Sequence, residues 1–397
     1  MTYFRHTRLL LGSAALIALA APAYALDGTD LLNKFNAVYS VQYGTTITAK
    51  SINVDGTTVT MTGVGMKSEG TEETIGDLTL NNVAEDGKGG YTIGEALFPD
   101  VNVTEDGSTL TAKDLSMNDI AIPGDTTKNT LDSLLWVERM RVGPVTVSEG
   151  GKEMFSLSEI KADFTKRDGN TGLDWEIVFG GLKADVSKAE DASTKDALQA
   201  LDIQQIEGEM SLTGGWELAS GTVDITEYAL DFTDIGRLSF SLSFSGYTME
   251  LMRSMQESMK ALELNVADEQ AQQAAGFAMM GMAQQLTFNR ASLSFTDASI
   301  TMRLMEYFGK EQGISGREFA QSVKGMVPLM VAELNMPELQ KQITEAVSTY
   351  IDDPQNLTIS AEPETPVPFP MIMGAVLGNP DSLPQVLGVT VSANDEE

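Results

Sequence analysis

The stretch Leu238-Ser239-Phe240-Ser241-Leu242-Ser243-Phe244-Ser245 alternates a large apolar side chain with a serine from end to end. Successive side chains of a strand point to opposite faces. Leu238, Phe240, Leu242 and Phe244 therefore share an apolar face, and the serines share a hydroxyl-lined one. Such a strand belongs to an antiparallel sheet that covers a core on one side only.

The same period-two texture dominates upstream. Ile52 and Val54 lead into Asp55-Gly56, and Val59 and Met61 follow. An Asp-Gly pair between alternating runs marks a hairpin, because the tight turn needs positive φ. Asp86-Gly87, Asp106-Gly107 and Asp168-Gly169 repeat the device. Val41, Tyr43, Thr45 and Ile47, separated by polar residues or Gly44, read as one more strand. Fragments also recur. Asp-Leu-Thr-Leu-Asn-Asn-Val at 77–83 is echoed by Asp-Leu-Ser-Met-Asn-Asp-Ile at 114–120, and Trp-Glu-Ile at 175–177 by Trp-Glu-Leu at 216–218. Their spacing is not constant, so a strict solenoid is not supported. Two readings stay open: look-alike strands of a long meander, or a degenerate hairpin unit repeated into a curved sheet.

Downstream the texture changes near residue 247. Met249, Met252, Met255, Met259 and Leu262 step by three and four, which is one stripe of an amphipathic helix. A second helix is expected over about 267–286. A third begins within 300–308 and ends near Gly313. Ser315 then reads as the N-cap of a fourth, with Phe319, Val323, Met326, Met330 and Leu334 as its buried stripe. Pro337 opens a fifth, with Leu339, Ile343, Val347 and Tyr350 inside. Final strands at 357–360 and 389–392 flank an apolar segment rich in proline. The expected fold class is α+β, mainly β: an extended, curved antiparallel meander with amphipathic helices packed on one face in the C-terminal half. Residues 26–246 form the meander region and 247–397 the mixed region packing on it.

Residues 1–25 read as a cleavable secretory signal. Arg5 and Arg8 precede an uncharged apolar run from residue 9 to 23, and Ala23-Tyr24-Ala25 supplies a small-x-small site. Cleavage is expected between Ala25 and Leu26. The run of about 15 residues is shorter than the roughly 20 that span a bilayer as a helix. The absence of an Arg-Arg pair favours the general export route. The most apolar later stretch, 371–387, is broken by Gly374, Gly378, Pro380 and Pro384. The expected location is the periplasm, with no transmembrane segment after signal removal.

Composition narrows the chemistry. The single histidine, His6, lies in the signal, and the chain has no cysteine. That removes Ser-His-Asp and Cys-His catalysis, His- or Cys-ligated zinc, and disulfides from the mature chain. Removing the signal takes away two arginines and no acid, moving the net charge from −31 to −33. Such a surface repels nucleic acid and anionic headgroups. The acids are dispersed, and the calcium-loop spacing is absent.

Three groups are candidate sites. Asp231 and Asp234 form a close carboxylate pair, as chance provides among 57 acids. Arg290, Asp297 and Arg303 frame a strand-to-helix junction, as an ion pair holding it or as a cradle for an anion. The 21 methionines are the third. Met249 to Met259, and the cluster Met279, Met280 and Met282, either pack a core or line a groove, because methionine adapts to varied apolar partners. Met249-Met252-Met255 also satisfies the M-x-x-M spacing of copper carriers. No nucleophile elbow, Ser-Lys motif in a helical context or phosphate loop stands out. The candidate site is therefore an apolar groove formed by Leu238, Phe240, Leu242 and Phe244 with Met249, Met252, Met255 and Met259. No catalytic residue, metal or cofactor is assigned.

Ser-Leu-Ser-Phe-Thr-Asp at 292–297, leading to a helix, Gly313 and a second helix, and the strand reading Asp-Leu-x-Leu/Met-Asn-Asn/Asp carry a resemblance. Together they resemble the AsmA-like bacterial envelope proteins and their uncharacterised periplasmic relatives. The resemblance covers about a third of the chain. It implies curved, repetitive sheets combined with helices, and it allows lipid transport. The chain departs from the pattern by its short length and by lacking a retained anchor, and no functional residue carries over. The expected function is a non-enzymatic envelope protein that binds a lipid or other apolar ligand. The alternatives are a structural protein with an envelope partner and no ligand, and a carboxylate-based hydrolase.

Overall fold

Residues 26–68, 71–187, 191–263, 276–278, 280–334 and 336–395 are described in the computed structural model. Among the described residues strands account for 45% and helices for 31%, so the fold is mainly β. The chain enters through a helix, α1 (Gly28–Tyr43), and then a long run of strands. These are β1 (Thr46–Thr48), β2 (Ser51–Asp55), β3 (Thr58–Ser68), β4 (Thr71–Glu85), β5 (Tyr91–Leu97), β6 (Val101–Glu105) and β7 (Ser108–Ala112). Next come β8 (Ser116–Ile122), β9 (Trp136–Val142), β10 (Val145–Glu149), β11 (Lys152–Leu157), β12 (Glu159–Lys166) and β13 (Gly172–Asp185). After helix α2 (Ala192–Ala200) follow β14 (Gln205–Glu217), β15 (Thr222–Phe232) and β16 (Gly236–Ser245). The remaining strands are β17 (Thr287–Asp297), β18 (Asn356–Ala361), β19 (Val367–Pro368) and β20 (Val389–Ala393).

The twenty strands among the described residues join one open antiparallel sheet. Its main order is β2-β3-β4-β5-β8-β9-β12-β13-β14-β15-β16-β17-β18-β20. The four Asp-Gly pairs fall at its turns. Gly56, Gly87 and Gly169 take positive φ, and at 106–107 both residues do, as the hairpin geometry requires. Four long strands break part-way, which separates β5 from β6, β7 from β8, β9 from β10 and β11 from β12. Backbone bonds such as Phe98 N to Leu115 O and Gly143 N to Lys113 O carry the ladder through the break. The distal halves form a four-stranded flap, β6-β7-β10-β11, which rejoins the sheet at the end of β13.

Register makes the sheet one-sided. Val59, Leu80, Ala96, Met117, Met140, Ala162 and Ile177 pair in succession from β3 to β13. Leu212, Tyr228, Phe240, Leu293, Ile359 and Val391 continue the same row to β20. One apolar row thus crosses thirteen strands. The recurring fragment keeps it in phase: its sixth residue, Asn82 in β4 and Asp119 in β8, adopts left-handed φ near 50°. Asn82 and Asp119 drop out of the pairing without shifting the register of β4, β5, β8 and β9, and Leu80 and Val83, three apart, both enter the core. Two short polar residue types occupy the position because Asn and Asp tolerate this conformation best after Gly.

The helices gather in the C-terminal half: α3 (Met249–Glu263), α4 (Ile300–Glu311), α5 (Gly316–Met330), α6 (Pro337–Asp352), α7 (Phe369–Gly378) and α8 (Leu383–Val386). Helix α4 packs on α5, α5 on α6, and α6 along β20 and β18. The Thr301 and Tyr350 hydroxyls, 2.5 Å apart, join α4 to α6. Ser315 caps α5 in a reciprocal box with Glu318.

Several expectations change. Residues 41–43 are not strand: they close α1, whose C-cap is Gly44 at φ 66°. Apparent alternation at 41–47 spans a helix end, a left-handed glycine and a short strand. The expected buried stripe of α5 is rotated. Ala320 and Val327 are its buried positions, Phe319 and Val323 are half-buried, and Met326, Met330 and Leu334 are exposed. Small and β-branched residues at the contact let α5 approach both neighbours closely. The boundary expected at 246/247 is crossed by the sheet, since β16 pairs along its length with β17. Half of the expected helix over 267–286 lies outside the described residues, within which 276–278 and 280–283 are helical. Residues 1–25, with Ala25, also lie outside them, whereas Leu26 packs against the core beneath α1.

Candidate functional site: an apolar cavity under the first helix

Between α1 and the first strands lies a cavity of about 490 Å³. Its roof is the inner face of α1: Leu31, Leu32, Phe35 and Tyr39 recur at helical spacing. Its floor is the sheet, with Met61 and Val64 from β3, Leu78 and Leu80 from β4, and Ile93 and Ala96 from β5. Met117 and Ile120 from β8 and Val137 and Met140 from β9 extend it. Leu131 and Leu134, from the loop before β9, close the far end together with Phe164 and Leu173. None of the lining residues is charged.

The roof is placed by its own sequence and pinned along its rim. Asp27 starts α1 by accepting from the Thr29 and Asp30 amides at 2.9 and 3.1 Å. Tyr91 donates its hydroxyl to Asp30 at 2.8 Å, and Lys34 donates to the Gly89 carbonyl at 2.5 Å. Asn36 exchanges two 2.7 Å bonds with the backbone of Ile47. The Tyr91 hydroxyl, and then Lys34, hold the Asp30 carboxyl below its ordinary range. Burial, and then Asp30, push the Tyr91 phenol well above its own.

The far wall is held by α3. Arg253 donates to the carbonyls of Thr126, Thr127 and Lys128 and to Ser133 Oγ, clamping the loop that carries Leu131 and Leu134. Met249 and Met252 pack with those two leucines, Leu173 and Trp216. Trp216 Nε1 donates to the Tyr247 carbonyl at 2.7 Å. Lys166 sits over the Trp136 ring, 4.8 Å from its centroid, and pairs with Asp132 at 2.9 Å.

The residues of the expected groove are therefore divided. Met249 and Met252 buttress the cavity's far wall without lining it. Phe244 stands beside them, in register with Val223 and edge-on to Tyr247. Phe240 and Leu242 lie half-buried farther along β16, and Leu238 is exposed at the opposite end of the strand. Met255 is half-buried, and the side chain of Met259 is outside the described residues, as is Met279. The cavity's own residues, Leu31, Leu32, Phe35 and Tyr39 foremost, were missed. Their signal was present: Asp27 as N-cap, then apolar residues at i, i+1, i+4, i+7 and i+8 up to Gly44.

The polar candidates do not assemble. Arg290 pairs with Asp224, Asp297 accepts from the Thr301 amide, and Arg303 donates to the carbonyls of Asp234 and Leu201. They do not form an ion pair with one another. Asp231 pairs with Arg237 at 3.0 Å, and Asp234 occupies a turn with left-handed φ. Among the described residues no cluster of three or more His, Cys, Asp or Glu could hold a metal. No helix among them is long and apolar enough to cross a membrane.

A family model described as an uncharacterized protein matches residues 229–394. That match runs from β15 to β20, beyond the cavity. No curated protein matches the chain.

Proposed function

We propose that this chain holds one apolar ligand, the hydrocarbon chain of a lipid or a molecule of similar shape, in the cavity beneath α1, and acts by binding rather than by chemistry. The observation that carries the reading is the lining: about 490 Å³ bounded by uncharged, overwhelmingly apolar side chains. Ligand sites of this character have volumes of about 300–1,000 Å³. Magnitude argues against a permanently empty space. At ~24 cal/mol per Å³, leaving it empty would cost up to about 12 kcal/mol, comparable with the whole 5–15 kcal/mol stability of a typical domain. The figure is an upper limit because the cavity is partly open to solvent. A ligand that fills it removes that cost.

The continuation of the apolar row toward β20 supports the same reading, because a one-sided sheet suits hydrocarbon along its length. The signal-like residues 1–25 and the resemblance to AsmA-like proteins support an exported, envelope location. Native mass spectrometry and solvent extraction of the purified chain test the proposal. One apolar molecule per chain is expected, displaceable by a fluorescent fatty acid. Absence of both a co-purifying apolar molecule and fatty-acid binding would overturn it.

A further inference from the structure

We infer that α7 docks the protein on the surface of an uncharged bilayer, lying in the interface without crossing it. The inference is independent of the cavity.

The sequence of α7, Phe-Pro-Met-Ile-Met-Gly-Ala-Val-Leu-Gly at 369–378, contains no charged side chain and no side-chain hydrogen-bonding group other than weak thioethers. Four of its apolar residues are exposed: Leu377 by 82%, Met371 by 59%, Met373 by 47% and Val376 by 46%. At 100° per residue, Met371 lies opposite Met373, Val376 and Leu377. The strip between them, holding Ile372 and Ala375, is half-buried, and so is Phe369 at the helix start. The exposure therefore surrounds most of the helix.

That distribution selects the occupant. A protein groove takes one stripe of a helix, about 100° wide, and would leave the other side of α7 wet. A bilayer interface is a medium rather than a groove: sunk about 5–10 Å into it, a helix about 10–12 Å across is covered over most of its girth. A helix of this length rises about 15 Å, half of the roughly 30 Å hydrocarbon core, so it lies in the interface. The segment bonded to the start of α7 also exposes apolar side chains. The Phe369 amide bonds to the Leu286 carbonyl at 3.0 Å, and β19 pairs with Thr287 and Phe288. The helical residues leading to Leu286 expose Phe277 by 74% and Met280 by 53%. Charge then selects the headgroup. The chain carries −31, and the segment 361–388 holds Glu362, Glu364 and Asp381 but no lysine or arginine. Anionic headgroups are repelled and zwitterionic ones are not.

Flotation of the full chain with phosphatidylcholine vesicles tests this, alongside the double variant Met373→Asp, Leu377→Asp. Both positions are exposed, so the variant keeps its fold, which circular dichroism verifies. The native chain should float. The variant should partition at least about tenfold less, because each aspartate removes an inserted apolar side chain. Raising salt should leave native binding unchanged, and phosphatidylglycerol vesicles should bind less. Fatty-acid binding in the cavity should be equal in both proteins, which separates this inference from the proposed function. Three results would overturn it: no flotation of the native chain, equal flotation of both proteins, or a native dimer that the variant dissolves without any vesicle binding.

Discussion

The Tyr91 hydroxyl donates to Asp30 Oδ2 at 2.8 Å, fastening the first turn of α1 to the start of β5 across 61 residues of sequence. Tyr91 is almost fully buried among the core side chains beneath the helix, so its hydroxyl reaches the surface only through this contact. The roof of the cavity and its floor meet there. Tyr91→Phe keeps the ring and removes the bond. Release of a bound fatty acid, followed by stopped-flow fluorescence, should then accelerate by roughly two- to tenfold, the scale of one ordinary hydrogen bond. Unchanged release would mean that the roof does not move when ligand leaves.

Protonation should limit stability at both extremes of pH. Asp30, Asp132, Asp174 and Glu318 are all held below the ordinary carboxylate range, chiefly by Tyr91, Lys166, Arg167 and the Ser315 amide respectively. Their folded forms resist protonation more than the unfolded chain does. Their stabilisation is complete above about pH 4 to 5 and drains as pH falls through the folded values. Tyr91, Tyr247, Tyr307 and Tyr350 are displaced upward, with burial the first cause of each. Their contribution is complete below about pH 10 and drains above it. Between about pH 5 and 8 urea midpoints should be nearly flat, since the chain beyond residue 25 has no histidine. A stability step near pH 6.5 would contradict this.

Filling the cavity should separate ligand binding from folding. Ala96 is buried in β5, lines the floor and belongs to the apolar row. Ala96→Phe places a ring where the ligand is proposed to lie. Fatty-acid affinity should fall at least about tenfold. The ligand-free protein should melt no lower than the native one, because the ring removes cavity volume that would otherwise cost stability. Ordinary overpacking would instead lower the melting point, by about 1–3 kcal/mol of stability.

Two methionines read as equivalent helix-stripe positions should behave differently. Met249 is buried against Leu131 and Trp216, so Met249→Ala should cost about 2–5 kcal/mol in urea unfolding. Met326 is exposed on α5, and Met326→Ala should stay within about 0.5 kcal/mol. Similar costs at both sites would mean that α5 is covered in solution.

The contrast shows what period and composition can reveal. Alternation at 238–245 gave a strand because a period-two pattern needs no knowledge of neighbours, and the Asp-Gly turns and Ser315 cap are equally local. Which apolar stripe ends up inside depends on what packs over it. Nothing in Phe319 to Leu334 says that Ala320 and Val327 would make the contact instead. The cavity was harder still. Its roof and floor come from residues distant in sequence, as Asp30 and Tyr91 are, and its far wall is held by Arg253, more than 100 residues beyond the loop it clamps. Helix α1 was locally legible from Asp27 and its apolar spacing, but the alternation through Gly44 masked its end.

The sheet's continuity makes a last, severe prediction about the boundary near residue 247. Ten register pairs join β16 to β17, from Gly236–Asp297 to Ser245–Thr287. A chain ending at 246 would leave β16 as an edge strand with its backbone unpaired and Phe240 and Leu242 stripped of Leu293 and Ala291. It would also lose Arg253, Met249 and Met252, the supports of the cavity's far wall. Long exposed apolar edges template aggregation. Residues 26–246 alone should therefore form soluble aggregates or inclusion bodies, whereas residues 26–395 should elute as a defined species in size exclusion. A monomeric, cooperatively unfolding 26–246 fragment that still binds fatty acid would show that the meander and its cavity stand without the C-terminal strands, and that α3 only decorates a complete domain.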